Sequence, residues 1–349
     1  MYHVYSRRTG SMEKKRYKTH REMKGLLRFS KETISAFGMA LIFIVYVVQA
    51  FRIPSGSMED SLLIGDQLLG LKFVYGAPVV PFTHLKFPGV KDPRPGEVVI
   101  FKTPGNNGRA YIKRCVAGPG QIIEIRDRTL MVNGKKMVLP PHGKHIMNGH
   151  QGFDGIEHFA PYRIPSSGDT IRCRKLSIRD ALFFKHIVHQ EHPRSEVSLR
   201  LILTDDGDVA NDRKLLLGLK GLLTLDEVAE FTRLDTIDNW VVLQQVAQQV
   251  LLSLEIDRSG VDLFAEVLLE GEPVGTYVVK NDNYFMLGDN RDNSLDSRYW
   301  GVVNRSFVKA QALMIYFSMD PQVPLWNLAR KIRWNRFGKL IRSWERVAG

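Results

Sequence analysis

F-R-I-P-S-G-S-M-E-D-S-L-L-I-G-D, residues 51–66, closes an uncharged run of 18 residues and sets two hydroxyls, Ser55 and Ser57, on either side of Gly56. A serine hydroxyl is a weak nucleophile until a base comes within hydrogen-bond reach. It also needs donors aimed at the oxyanion that forms when it attacks a carbonyl. In this tripeptide one hydroxyl can attack while the other donates, and the glycine lets the backbone approach a substrate. A polar turn after a helix has the same composition, so other stretches must decide.

The run before it, residues 34–51, is I-S-A-F-G-M-A-L-I-F-I-V-Y-V-V-Q-A-F. As one helix it is roughly 27 Å long, against a bilayer core of about 30 Å, and such a helix bonds its own backbone in lipid. The spacing therefore predicts a single transmembrane helix. A buried globular helix is the alternative, and a cleavable leader fits poorly because the basic region before it is long and no small-residue site closes it.

Charge supports the membrane. The net charge is +12, of which residues 1–33 carry +7 and residues 325–349 carry +6, so the body between is near neutral. A nucleic-acid-binding core would carry that charge on its folded body, and no nucleic acid is expected. By the positive-inside rule residues 1–33 form a basic cytoplasmic tail, with everything after Arg52 outside the cytoplasm. The two cysteines, Cys115 and Cys173, form no CxxC pair or disulfide framework. Separate buried thiols are favoured over a single bridge.

The body reads as mainly β. Residues 67–75, 98–101, 111–116, 122–125 and 130–132 have strand character, punctuated by Gly118-Pro119-Gly120 and a tight turn at Asn133-Gly134. Residues 140–279 are less legible. Pro165-Ser166-Ser167-Gly168-Asp169 starts a β-like unit, and Thr224 and Glu227 form a capping box that predicts helix over 224–252. Residues 263–278 return to strand with a turn at Glu270-Gly271, and 308–317 form a last strand. The tail, 321–349, places Leu325, Leu328, Ile332, Leu340 and Trp344 on one helical face and most of its basic residues on the other. That predicts a basic amphipathic helix lying in a membrane interface, with packing against the body as the alternative.

Two further stretches change the reading of Ser55-Gly56-Ser57: Tyr111-Ile112-Lys113-Arg114 on a strand, and G-D-N-R-D-N-S-L-D-S-R over 288–298. In that order, behind one membrane anchor, the three motifs resemble those of type I signal peptidases, which use a serine–lysine dyad. The resemblance is good over 34–138 and about 280–335. It implies an antiparallel β-rich catalytic body, residues 52–139 and 280–320, with 140–279 as an inserted α+β section of unknown role. It implies a single-pass protein of a bacterial-type cytoplasmic (inner) membrane that removes signal peptides from exported preproteins, cutting after small residues in an A-x-A pattern. Its partners would be those signal peptides and the lipid bilayer, with no cofactor and no metal.

By the same match Ser57 is the nucleophile and Lys113 the base. The oxyanion hole is the Ser55 hydroxyl with the Ser57 backbone N–H. Ser294 orients the lysine amine, Asp296 and Arg298 form a supporting ion pair, and Asp289 and Arg291 hold the loop. A lysine acts as a base only after losing its proton, and burial lowers its pKa. From its own strand alone, Lys113 would pass for a surface residue.

Two positions depart from the pattern. Asp60-Ser61 stands where the family usually has Pro-Thr, and Gln121 where it usually has aspartate, so substrate fit and rate are in question while the dyad is intact. His186, His189 and His192 are read as a surface cluster, not metal ligands. There is no G-x-S-x-G elbow. The LexA-type self-cleaving repressors share the dyad but lack an anchor. A catalytically silent anchored scaffold is the alternative of a different class.

Overall fold

The computed structural model describes residues 31–77, 87–102, 110–145, 157–205, 208–209, 239–253 and 261–344. The strands run β1 Val48–Arg52, β2 Asp66–Leu71, β3 Val98–Lys102, β4 Ala110–Ala117, β5 Ile122–Arg126, β6 Thr129–Val132 and β7 Lys135–Lys136. After these come β8 Phe159–Arg163, β9 Thr170–Arg172, β10 Val197–Asp205, β11 Asp208–Val209 and β12 Val261–Leu269. The last are β13 Glu272–Pro273, β14 Thr276–Val278, β15 Asn283–Leu287, β16 Val303–Asn304 and β17 Val308–Ser318. Helices are α1 (31–42), α2 Ile178–Glu191, α3 Trp240–Ser253, α4 Ser297–Trp300 and α5 Leu328–Lys331.

The body is built on a seven-stranded antiparallel sheet in the order β1-β2-β17-β3-β4-β15-β16. The strand character expected of 98–101, 111–116 and 308–317 is all found in it. Its central strands are buried on both faces, Val98 to Phe101 almost completely, which is why they read as continuous apolar runs rather than alternating ones. A four-stranded sheet, β7-β6-β5-β8, continues from β4. Asn133 and Gly134 both take positive φ at its turn (50° and 73°), as the Asn-Gly pair demands. Cys115 and Cys173 are buried thiols that are not bridged to each other.

The apolar run is not one helix. Helix α1 passes through a π-helical turn, Phe43–Val47, and the last residues of the run become β1. There Val48 to Arg52 pair with Leu71 to Gln67. The ladder offered by β2, met by β-branched and aromatic residues, wins over continued helix. Among the described residues no helix is long and apolar enough to cross a membrane.

The tail departs further. The amphipathic helix expected over 321–349 is reduced, among the described residues, to the four residues of α5 and a 3-10 turn, Trp334–Arg336. The chain instead folds back beside β17, with bridges Met319–Ile332 and Met314–Leu340. Lys331 donates to the carbonyls of Asp320 and Val323, and Arg336 is buried against Asp66. Fixing these cations in specific pairs overrides the helical period.

In the inserted section, α3 matches the second half of the helix expected over 224–252, while Thr224 and Glu227 lie outside the described residues. Helix α2 was not foreseen. Ser177 caps it, accepting from the Asp180 N–H at 3.1 Å, and it packs Phe183, Phe184 and Ile187 into one core with Phe285, Leu287 and Val302. The expected histidine surface cluster is corrected here: His186 is buried, and its Nδ1–H donates to the Trp300 carbonyl at 2.5 Å.

Candidate active site

The site lies where β4, the 3-10 turn Gly56–Met58 and the 288–298 loop meet. Val99 on β3 faces Lys113 on β4, and Leu287 on β15 faces Arg114. Lys113 thus sits in the body of the sheet, only 3% exposed. Its Nζ is hydrogen-bonded to the Ser57 hydroxyl. Burial pulls the Lys113 pKa down from the ordinary lysine value to about 8, against Asp296 and Asp289, which favour the charge. A serine hydroxyl and an amine with an accessible neutral form are therefore in contact.

The 288–298 loop supports that contact. The Asn290 backbone N–H donates to the Ser57 carbonyl (3.2 Å), and its side-chain amide donates to the Gly56 carbonyl (3.1 Å). Gly288 is squeezed between them: a Cβ there would lie 2.2 Å from Ser294 Oγ and 2.5 Å from the Ser57 carbonyl oxygen. Asp296 pairs with Arg298 through Nε–Oδ1 (2.8 Å) and Nη2–Oδ2 (2.9 Å), and accepts the Gly288 N–H at 3.0 Å. Both are almost fully buried, and such a pair is specific because guanidinium and carboxylate match as forks.

Other assigned residues are placed less simply. Ser55 is exposed at the start of the nucleophile's turn, and its side chain makes no capping hydrogen bond there. Ser294 is buried, and its hydroxyl has no hydrogen-bond partner among the described residues. Arg291 is buried as well; its backbone holds the loop, with its N–H on the Lys144 carbonyl (3.0 Å) and its carbonyl accepting from Arg298. Asp289 pairs with Arg114 on β4 rather than with a loop residue.

Several supporting residues were missed. Arg114 was quoted with its motif but given no role, although a charge flanked by Ile112, Cys115 and Val116 on a strand is a buried-charge signal. The Ser61 hydroxyl donates to Asp289 at 2.6 Å, so serine at this departure from the pattern still supplies a hydroxyl. Asp60, at φ 71°, and Glu59 both reach Lys144, at 3.1 and 3.2 Å. Lys144 and Asn290 form a parallel bridge, which docks the segment after β7 on the 288–298 loop; no local pattern announces that contact. At the other departure, Gln121 accepts the Gly118 N–H at 2.7 Å and closes a turn.

The inserted section also braces the segment after the loop. Trp240 Nε1 donates to the Arg298 carbonyl (2.7 Å), and Gln190 donates to the Val302 carbonyl (3.1 Å) while accepting the Asn304 N–H (2.7 Å).

A family model described as signal peptidase, peptidase S26, matches residues 26–177 and 245–317. The chain belongs to peptidase family S26. The match spans the Gly56–Met58 turn, β4 and the 288–298 loop, and leaves α2 and the segment up to 244 outside it. Among curated relatives, a signal peptidase I of Buchnera aphidicola subsp. Acyrthosiphon pisum is 28% identical over 317 residues, covering 89% of this chain and 82% of the relative. One of Helicobacter pylori strain J99 is 23% identical over 345 residues, covering 93% and 96%. One of Aquifex aeolicus is 25% identical over 285 residues, covering 80% of each. As a member of this family the chain is a serine peptidase, a hydrolase.

Proposed function

We propose that this signal peptidase releases the signal peptides of exported preproteins by serine acyl transfer, with Ser57 as nucleophile and neutral Lys113 as general base. The observation that carries the reading is the hydrogen bond between Lys113 Nζ and Ser57 Oγ, made by a lysine that is almost wholly buried. Lys113 takes the hydroxyl proton as Ser57 attacks the scissile carbonyl. The oxyanion is met by the Ser57 N–H and the Ser55 hydroxyl. Lys113 returns the proton to the leaving amine, then activates the water that hydrolyses the acyl-enzyme. A buried hydroxyl without a partner is costly, so Ser294 is assigned the role of orienting the lysine amine. Asp296, Arg298, Asp289 and Arg291 fix the loop and do no chemistry. Shallow pockets that exclude larger side chains would select the small residues of an A-x-A site.

The same proposal sets the enzyme on a bilayer. The helical stretch 31–47 is about 25 Å long, and its apolar side chains, Phe37, Leu41 and Ile44 among them, are more than half exposed. Lipid is the solvent in which such exposure is favourable. Residues 1–33 would then be the cytoplasmic tail, with the catalytic body outside the cytoplasmic membrane, close to its surface.

The test is cleavage, in detergent, of a preprotein carrying an A-x-A site by the wild type, Ser57→Ala and Lys113→Ala. Site-specific cleavage by the wild type that both variants lose is expected. Full activity in either variant overturns the dyad.

A further inference from the structure

Three lysines gather where the apolar helix joins the main sheet. β2, β17 and β3 are neighbours. Lys72 follows the last residue of β2, Lys309 is the second residue of β17, and Lys102 is the last of β3. The register pairs Gln311 with Leu71 and Val308 with Phe101, which brings the Lys309 position beside those of Lys72 and Lys102. Lys72 donates to the Ile44 carbonyl at 2.9 Å, in the π-helical turn below the apolar helix. Among the described residues no carboxylate pairs with any of the three, and the segment 103–109 that follows Lys102 contains no Asp or Glu.

Like charges gathered this way repel one another. The effect is visible in Lys309, whose pKa is held down to about 8 by burial first and then by Lys102 and Lys72. An oxyanion set among the three amines would accept from all of them and let each keep its charge. The surroundings narrow its source. Phe73, next to Lys72 in the chain, is exposed, as are Phe87 and Val90, and the Phe87 ring meets the edge of Tyr46, on the π-helical turn, with centroids 6.3 Å apart. Amines beside exposed apolar side chains at the foot of an apolar helix match the headgroup layer of a bilayer.

We propose that Lys72, Lys102 and Lys309 form a phosphate-binding site that takes the headgroup of an anionic lipid beside the anchor. The lipid source rests on the membrane reading above; the phosphate chemistry does not.

The test uses the full chain in neutral detergent micelles and follows the unfolding midpoint as phosphatidylglycerol, phosphatidylcholine or inorganic phosphate is added. Phosphatidylglycerol is expected to raise the midpoint and phosphatidylcholine not to. With roughly fivefold in affinity for each lysine near an anionic surface, Lys102→Gln/Lys309→Gln should need about thirtyfold more phosphatidylglycerol. Its unchanged cleavage of a soluble peptide would show that it folds. Lys135→Gln/Lys136→Gln, which removes two exposed charges from β7, should respond as the wild type does. An equal response to inorganic phosphate upholds the site and assigns it to free phosphate. No response of the wild type to either anion, or an undiminished response in the Lys102/Lys309 variant, overturns it. Alkaline extraction of membranes reports on the anchor separately: release of the chain with the anion response intact sinks the anchor and leaves the site standing.

Discussion

Asp289 and Arg114 meet through two parallel hydrogen bonds, Nε to Oδ1 at 2.8 Å and Nη2 to Oδ2 at 2.7 Å, one residue along the strand from Lys113. Burial opposes the Asp289 charge, but Arg114 prevails and holds the carboxyl below its ordinary value. The pair pins the 288–298 loop to β4, so the strand that carries Lys113 also fixes the loop that carries Ser294, Asp296 and Arg298. Breaking a buried pair by neutralising one partner strands the other. Asp289→Asn should therefore lose about 3–5 kcal/mol of stability, read from urea unfolding at neutral pH. A loss below 1 kcal/mol, on the scale of an exposed pair, would show that the pair holds nothing.

The pH dependence of catalysis follows from Lys113. With its folded pKa near 8, activity should climb through that pH as the amine loses its proton, and Lys113→Arg should be inactive throughout. Stability has the opposite origin. The unfolded chain binds the Lys113 proton more tightly, so the penalty for burying the charge is full below about pH 8 and is relieved as pH rises towards 10.5. Lys113→Met should accordingly be more stable than wild type at pH 7, by about 3 kcal/mol at 1.36 kcal/mol per pKa unit. An activity profile flat between pH 6 and about 9 would remove Lys113 as the base.

Gly288 is held by contact rather than by backbone strain. A methyl group there would collide with Ser294 Oγ and with the Ser57 carbonyl, and the second of these is backbone that cannot swing aside. Gly288→Ala should displace the nucleophile's turn from Lys113 by a fraction of an ångström or more. Misplacement of that order costs roughly a hundredfold in rate. The expected result is a folded protein with kcat down by about two orders of magnitude and KM little changed. Wild-type kcat would mean that the loop moves freely relative to Ser57.

The residues that lie close together in sequence were the ones legible from it. Gly56 to Met58 and the Asp296–Arg298 pair are each local, and the apolar runs of β3 and β4 announce buried strands by composition, whereas Lys113, a surface residue by its own strand, stood out only through the resemblance. What escaped notice depends on partners distant in the chain. Arg114 needs Asp289, Ser61 needs the same carboxylate, and Lys144 needs Glu59 and Asp60, separations that no periodicity encodes. The apolar run failed as one helix for the same reason: β1 forms because β2 offers it a ladder, and β2 begins 14 residues after β1 has ended. Helix α2 was hidden by its own burial, since a helix packed on several sides has no polar stripe to set its period.

The C-terminal strap gives the last prediction. Arg336 places Nε 2.9 Å from Asp66 Oδ1 and Nη2 2.6 Å from Oδ2, and the same Nη2 reaches the Ser61 carbonyl at 3.2 Å. Asp66 is completely buried and also accepts from the Ser318 hydroxyl (2.6 Å) and the Leu63 N–H (2.8 Å). Ser61 in turn donates to Asp289, so a continuous set of polar contacts runs from the strap through the segment after the nucleophile to the Asp289–Arg114 pair. Arg336→Ala strands the Asp66 charge in the core and should lose about 3–5 kcal/mol of stability. Because Ser61 touches both ends of the set, Arg336→Ala and Ser61→Ala should be non-additive. A double-mutant cycle is expected to give a coupling of at least 0.5 kcal/mol, where independent sites add to within a few tenths. Ser61→Thr keeps the hydroxyl and should leave both stability and the coupling to Arg336 near wild type. An additive cycle would mean that the strap stabilises the sheet without reaching the catalytic loop.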